Sequence, residues 1–348
     1  MGGTTDLSVS DVAAYLAEHA PHLGALRRLD KFGTGQSNPT YKMTCESGDF
    51  VLRAKPPGRL LASAHLVERE FRAMAALRAT AVPVPDMVHL ATDEASPIGR
   101  AFFVMAFTPG RIFWDPALPE LETSARAGVY DAMADTLAAL HDVDVDKVGL
   151  SEFGKPGSYF SRQVDRWSRQ YLASVETPDR GMTGLMEWLG LHMPDDDGQV
   201  ALVHGDYRLD NMIFDPQVSE VVALLDWELS TLGHPLADLA YQCMQWRLPH
   251  DGGMRGLGGL DRAALGLPSE DAYIARYCAA RGIARPDNWP FYLVFSYFRL
   301  AAILQGVVAR AQGGNASNPE SGRKYEAAIP VLIKQAVDIA QEAGENAL

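Results

Sequence analysis

The spacing of apolar positions changes part-way along the chain. Residues 12–19 carry helical spacing behind the start signal Ser8-Val-Ser-Asp11. Residues 26–45, LRRLDKFGTGQSNPTYKMTC, read as strand, glycine-containing turn and strand. DFVLRAK (49–55) follows the Gly48-Asp49 turn as a third strand. Residues 62–78 set Leu66, Phe71, Met74 and Leu77 at helical intervals, and Val82-Pro-Val-Pro85 breaks that pattern. MVHLAT (87–92) and RAFFVMAF (100–107) give two more strands. After Thr108-Pro-Gly110 the period is mostly helical: 124–141, 159–174, 237–246, 270–281, 290–311 and 323–342. Pro330 is expected to kink or start the last of these. The exception is 200–227, where VALVH, NMIFD and VVALLDWE suggest short strands around a loop. The pattern therefore predicts an α+β fold, with a β-rich first part at 1–107 and a helical second part at 108–348.

Composition narrows the class. The net charge of −13 argues against nucleic acid or an anionic membrane as main partner, since both favour a basic surface. Cys45, Cys243 and Cys278 are scattered and form no CxxC pair, so neither a disulfide framework nor a thiolate zinc site is expected. A reducing, cytoplasmic location is expected. The start MGGTTDLSVSD has no apolar core of a signal peptide, and Asp6 stands where a myristoylation motif wants Ser or Thr. The apolar run 291–309 is interrupted by Arg299 and Gln305, which favours a buried core helix over a membrane span.

The chemistry concentrates in 202–214, LVHGDYRLDNMIF. Asp206 and Asn211 stand in the spacing Asp-x4-Asn, and Asp226 closes the apolar run 221–225. Phosphoryl transfer from a nucleotide asks for this set. One carboxylate orients the acceptor hydroxyl, while an amide oxygen and a second carboxylate suit Mg²⁺. Asp and Asn also occur as turn residues; the downstream Asp226 favours the catalytic reading.

His204-Gly-Asp206-x4-Asn211, followed by Leu225-Asp226-Trp-Glu228, resembles the aminoglycoside phosphotransferase family, a branch of the bilobal protein-kinase-like fold. FGTGQSNPTYKM, VLRAKPPGRLLASAHLVEREF and LDWELSTLGHPLADLAYQC are most similar to the kinase-like domain associated with acyl-CoA dehydrogenases. The resemblance covers about residues 28 to 340. It implies a small antiparallel β-sheet lobe with one main helix, at 1–107, that binds nucleotide. It also implies a larger helical lobe, at 108–348, for catalysis and the acceptor.

By the same resemblance Asp206 is the catalytic aspartate, His204 shapes its loop, and Asn211 and Asp226 are metal ligands. Asp238 braces the loop. Gly33, Gly35, Ser37 and Asn38 lie over the nucleotide phosphates, and Met105 and Phe107 belong to the adenine hinge. The family's phosphate-binding lysine is replaced by Arg53, which keeps the charge and gains a bidentate fork. Lys55 is a second candidate for that role. Glu70 is preferred over Glu68 as the helix partner.

The expected function is an ATP- and Mg²⁺-dependent transfer of phosphate to a hydroxyl of a small metabolite. The association with acyl-CoA dehydrogenases points to a hydroxyacyl compound or its CoA thioester. An aminoglycoside or choline-like acceptor is the alternative. From other classes, a nucleotide-binding pseudokinase or interaction module rests on Arg53, and a metal-dependent hydrolase would use Asp206, Asp226 and a histidine without nucleotide. Oligomeric state is left open.

Overall fold

The computed structural model describes residues 7–33, 38–57, 67–251, 253–312 and 319–344. They belong to two compact units: residues 1–111 with 211–230, and residues 112–210 with 231–348.

The first unit opens with α1 (Val9–His19), whose first turn is capped by the Ser8 hydroxyl accepting from the Asp11 N–H. Three strands follow, β1 (Leu26–Lys31), β2 (Thr40–Cys45) and β3 (Gly48–Ala54), then α2 (Val67–Leu77), β4 (Met87–Ala91) and β5 (Phe102–Ala106). The expected helix at 62–78 is described only from Val67 onward; residues 58–66 lie outside the described residues. The strands form one antiparallel sheet in the order β1-β2-β3-β5-β4. Alternation along the strands decides which face each residue meets. Tyr41, Met43, Leu52, Phe102 and Val104 join Val12 and Leu16 of α1 in one buried cluster. Arg53 lies opposite Thr40 on one side and Phe103 on the other. Phe103 meets Phe71 of α2, with ring centroids 6.3 Å apart. Each large apolar side chain buried this way contributes about 2 kcal/mol.

Along the rest of the chain come α3 (Thr123–His141), α4 (Tyr159–Leu172), α5 (Arg180–Leu191), β6 (Ala201–Val203), β7 (Met212–Phe214), β8 (Val221–Leu224) and β9 (Thr231–Gly233). Then α6 (Leu236–Cys243), α7 (Glu270–Arg281), α8 (Trp289–Gln312) and α9 (Pro319–Glu342) complete it. The β7–β8 hairpin belongs to the first unit. Arg111 and Phe214 exchange both backbone hydrogen bonds at 2.8 Å, and the Leu224 N–H donates to the Pro83 carbonyl. A side chain at Gly110 would run into Ile213 and the Phe214 carbonyl, so only glycine allows this approach.

In the second unit α8 packs against α4, α5, α6 and α9. It is long and apolar enough to cross a membrane, but 83% of its most apolar window is buried within the protein. A helix that is apolar on most sides is a core helix when neighbours surround it. Three features depart from the sequence pattern. Helix α5 has its period diluted by Gly181, Thr183 and Gly190. Gly181 is needed there, because a Cβ would lie 2.6 Å from Ile333 Cγ2 of α9. Pro330 does not start α9; the helix runs from Pro319 through it. The short strand β9 pairs with β6, Ala201 opposite Gly233, where no strand is expected.

Candidate active site

In the first unit the centre is Arg53. Its Nη2 lies 2.5 Å from Asp226 Oδ1 and its Nε 3.1 Å from Glu70 Oε2. The side chain is 14% exposed and that of Glu70 only 1%. The Asn38 amide is buried and donates to Glu70 Oε1 at 2.9 Å and to Glu228 Oε2 at 3.3 Å. Three carboxylates thus surround one guanidinium. Burial works against the charge of Arg53, but Glu70, Asp226 and Glu228 outweigh it and hold the guanidinium firmly protonated. For Glu70, burial and the two neighbouring carboxylates prevail over Arg53, pushing its carboxyl up to about 8.

Lys55 is committed elsewhere, to Glu68 at 2.6 Å and Asp93 at 2.7 Å. The structure therefore brings Arg53 together with Glu70, and Lys55 with Glu68. The backbone explains how Asp226 arrives. Hairpin β7–β8 pairs Met212 with Leu224, and one residue further the Leu225 N–H donates to the Asn211 carbonyl at 2.8 Å. Asn211 and Asp226 are thereby brought close at the open end of one hairpin. Asp226 itself is left-handed, φ 66° and ψ 61°, a conformation Asp tolerates better than most residues.

Carboxylate oxygens of Glu70, Asp226 and Glu228 lie within 4.8 Å of one another. With Asn211 at the same hairpin end, carboxylate oxygens gathered in this way fit a hard cation such as Mg²⁺. Met105 is buried and paired with Val51 and Met87. Phe107 follows β5, and Lys42 Nζ lies 4.6 Å from its ring centre. The N–H groups of Ala106 and Phe107 already donate to the Asp86 and Asp49 carbonyls, so reading adenine through them would require breaking sheet bonds. Gly33 sits where an added Cβ would meet nothing within 4 Å. Gly35 and Ser37 lie outside the described residues.

The second unit carries the loop after β6. Its turn is made by Gly205 at φ 84°. Asp238, fully buried in α6, accepts the His204 N–H at 2.6 Å and the Gly205 N–H at 2.8 Å. The Gly205 carbonyl accepts from Arg299 Nη2 at 2.9 Å. His204 is buried, and its Nδ1 lies 3.3 Å from the Asp206 nitrogen. Behind Asp238 stands His141, with Nε2 3.4 Å from the carboxylate and Nδ1 2.7 Å from the Tyr277 hydroxyl. Burial holds His141 below its ordinary pKa, so it faces Asp238 as a neutral ring.

Asp206 is half-buried at the tip of this loop, and the Tyr241 hydroxyl donates to its Oδ1 at 2.7 Å. Arg208 is held by Asp210 through a two-pronged contact. Neither Tyr241 nor Arg299 is singled out as a site residue by the sequence motifs. Arg299 does leave a signal, as a cation inside an apolar run.

Residues 28–292 match the family model described as APH, phosphotransferase enzyme family. Acyl-CoA dehydrogenase family member 10 of Mus musculus is 47% identical over 302 residues, covering 86% of this chain and 28% of that protein. Acyl-CoA dehydrogenase family member 11 of Homo sapiens is 40% identical over 313 residues, 88% of this chain and 40% of that protein. The chain thus spans well under half the length of these curated relatives. A solved structure from Ralstonia eutropha JMP134, named for the aminoglycoside phosphotransferases, superposes with a TM-score of 0.85 at 42% identity, covering 96% of this chain and 98% of that one. Aminoglycoside phosphotransferase APH(4)-Ia, in a complex with AMP-PNP and hygromycin B, shares the fold at a TM-score of 0.60 and 15% identity, covering 93% and 98%. With the match running through both the sheet and the loop that carries Asp206, the chain belongs to the APH family of phosphotransferase enzymes and has its kinase-like α+β fold.

Proposed function

We propose that this enzyme moves the terminal phosphoryl group of ATP onto a hydroxyl of a small metabolite, a hydroxyacyl compound or its CoA thioester. The observation that carries the reading is Asp206, presented on a loop whose two preceding N–H groups are locked by buried Asp238. A carboxylate fixed in this way orients an acceptor hydroxyl and takes its proton as the new P–O bond forms. Bound ATP supplies the transferable group, and Mg²⁺ offsets the charge on its phosphate oxygens. Asn211 and Asp226 would hold the metal, with Glu228 in reach of the same position. Arg53, steered by Glu70, would exchange Asp226 for phosphate oxygens, which its planar fork suits. Gly33 and Asn38, with Gly35 and Ser37, flank the phosphates in this reading, and Met105 and Phe107 flank the base.

The acyl nature of the acceptor is supported by the names of the long relatives, in which a segment like this chain occupies part of a protein named as an acyl-CoA dehydrogenase. Aminoglycosides and choline-like alcohols are the competing acceptors; a structural neighbour holds hygromycin B. Three free, buried cysteines support a cytoplasmic setting. An ADP-release screen with Mg²⁺-ATP across hydroxy acids, their CoA thioesters, aminoglycosides and choline tests the reading. Turnover with hydroxyacyl compounds, lost in Asp206→Ala, is expected, and turnover with only another class would overturn the acceptor assignment.

The Arg53–Asp226 pair favours one second reading, a nucleotide-binding module without turnover. It predicts a thermal shift with Mg²⁺-ATP and no ADP release with any acceptor.

A further inference from the structure

We infer that Tyr241 is a positioning residue for phosphoryl transfer, which fixes the carboxylate plane of Asp206 by holding its Oδ1. The inference rests on the proposed role of Asp206. Helix α6 presents Asp238 and Tyr241 three residues apart, hence on one face. The two residues divide the loop between them. Asp238 binds the main chain of His204 and Gly205, and Tyr241 binds the side chain of the next residue, Asp206, at 2.7 Å.

Main-chain bonds alone leave the carboxylate of Asp206 able to rotate about its side-chain torsions. The Tyr241 hydroxyl anchors one oxygen, in the field of the Arg208 and Arg299 charges, and so limits that rotation. Tyr241 suits the task. It is 7% exposed, and burial together with Asp206 keeps its hydroxyl protonated far above neutral pH, so it acts as donor and not as a competing base. Arg299 supports both parts. Its guanidinium carbon lies 5.7 Å from the Tyr241 ring centre, while Nη2 binds the Gly205 carbonyl. One buried cation on α8 thus braces the turn and the ring that serve the same aspartate.

The test is Tyr241→Phe, which keeps the ring and removes the donor. In protein labelled with ¹³C at the aspartate carboxyl, the Asp206 signal, assigned by its loss in Asp206→Asn, is expected to titrate at higher pH in Tyr241→Phe than in the unmodified chain. A hydrogen bond to the charged form favours that form, and its loss does the reverse. This measurement needs no acceptor, so it is separable from the phosphotransfer reading. With an acceptor from the ADP-release screen, kcat is expected to fall roughly 10- to 100-fold with KM for the acceptor little changed, the pattern for a group that acts on geometry in the transition state. The Mg²⁺-ATP thermal shift reports on the intact fold and should equal that of the unmodified chain. An unchanged Asp206 titration, or a loss confined to KM, overturns the inference.

Discussion

Arg53 in the first unit and Asp238 in the second each stand at the centre of a charged cluster, and they hold their partners differently. Among the described residues the Arg53 guanidinium is held by side chains: Glu70 from α2 and Asp226 from the end of the β7–β8 hairpin, with Glu228 close by. Those contacts can be exchanged by turning side chains, without moving a strand. Asp238 meets the main chain of two consecutive residues, inside a pocket where His141 and Tyr277 already complete the hydrogen bonding. Breaking that contact leaves buried N–H groups without an acceptor. In the proposed reaction the first cluster is therefore the one suited to changing partners. The other delivers its loop in a fixed shape.

Four substitutions probe this contrast. Asp206→Asn removes the carboxylate that the fixed loop presents, and phosphotransfer should fall roughly 100- to 10,000-fold in kcat while the Mg²⁺-ATP thermal shift persists. Asp238→Ala attacks the fixed cluster itself. Urea unfolding should show a loss of about 3 to 5 kcal/mol, because two buried N–H groups are orphaned, and MgCl₂ should restore none of it. Arg53→Ala attacks the exchangeable cluster. It leaves three carboxylates together, and a loss of about 2 to 4 kcal/mol is expected, of which millimolar MgCl₂ should recover a measurable part. Equal rescue of the two variants, or rescue of neither, would erase the distinction between the clusters.

The smallest effect is in pH dependence. The Glu70 carboxyl is pushed from 4.5 up to about 8, so the folded chain holds a proton that the unfolded chain releases between those values. The stability this proton provides is full below about 4.5 and is lost as pH rises through about 8. Glu70→Gln keeps a neutral group of the same shape, and its stability profile should be flatter over that window. A profile identical to that of the unmodified chain would mean that Glu70 is ionised throughout.

Much of the fold and of the candidate site is legible in the residue pattern alone. The strands at 26–54 and the helices with long apolar periods lie close to where that pattern puts them. Asp206, Asn211 and Asp226 stand out by spacing, whereas the choice of Glu70 over Glu68 rests on the resemblance; the structure sets Glu70 beside Arg53 and Glu68 beside Lys55. What stays hidden depends on packing between distant segments. Strand β9 has three residues, too few for a period, and α5 carries glycines that its neighbours need and its pattern does not. Tyr241 reads as one aromatic in an apolar helix, and only its placement three residues after Asp238 hints at a shared face. Residues 202–214 read as one loop with anchored ends. In the structure the chain passes from the second unit to the first at Asp210–Asn211, within that motif.

That discontinuity has a consequence for synthesis. When Arg111 has left the ribosome, the five-stranded sheet, α1 and α2 are all present, but the hairpin that supplies Asp226 and Glu228 is not. At translation rates of 5 to 20 residues per second, roughly ten seconds pass before residue 230 follows. Until then the two carboxylates of the hairpin are missing from the surroundings of Arg53, and the Arg111 backbone lacks its partner Phe214. The two backbone hydrogen bonds between Arg111 and Phe214 can therefore close only after the rest of the first unit has been made.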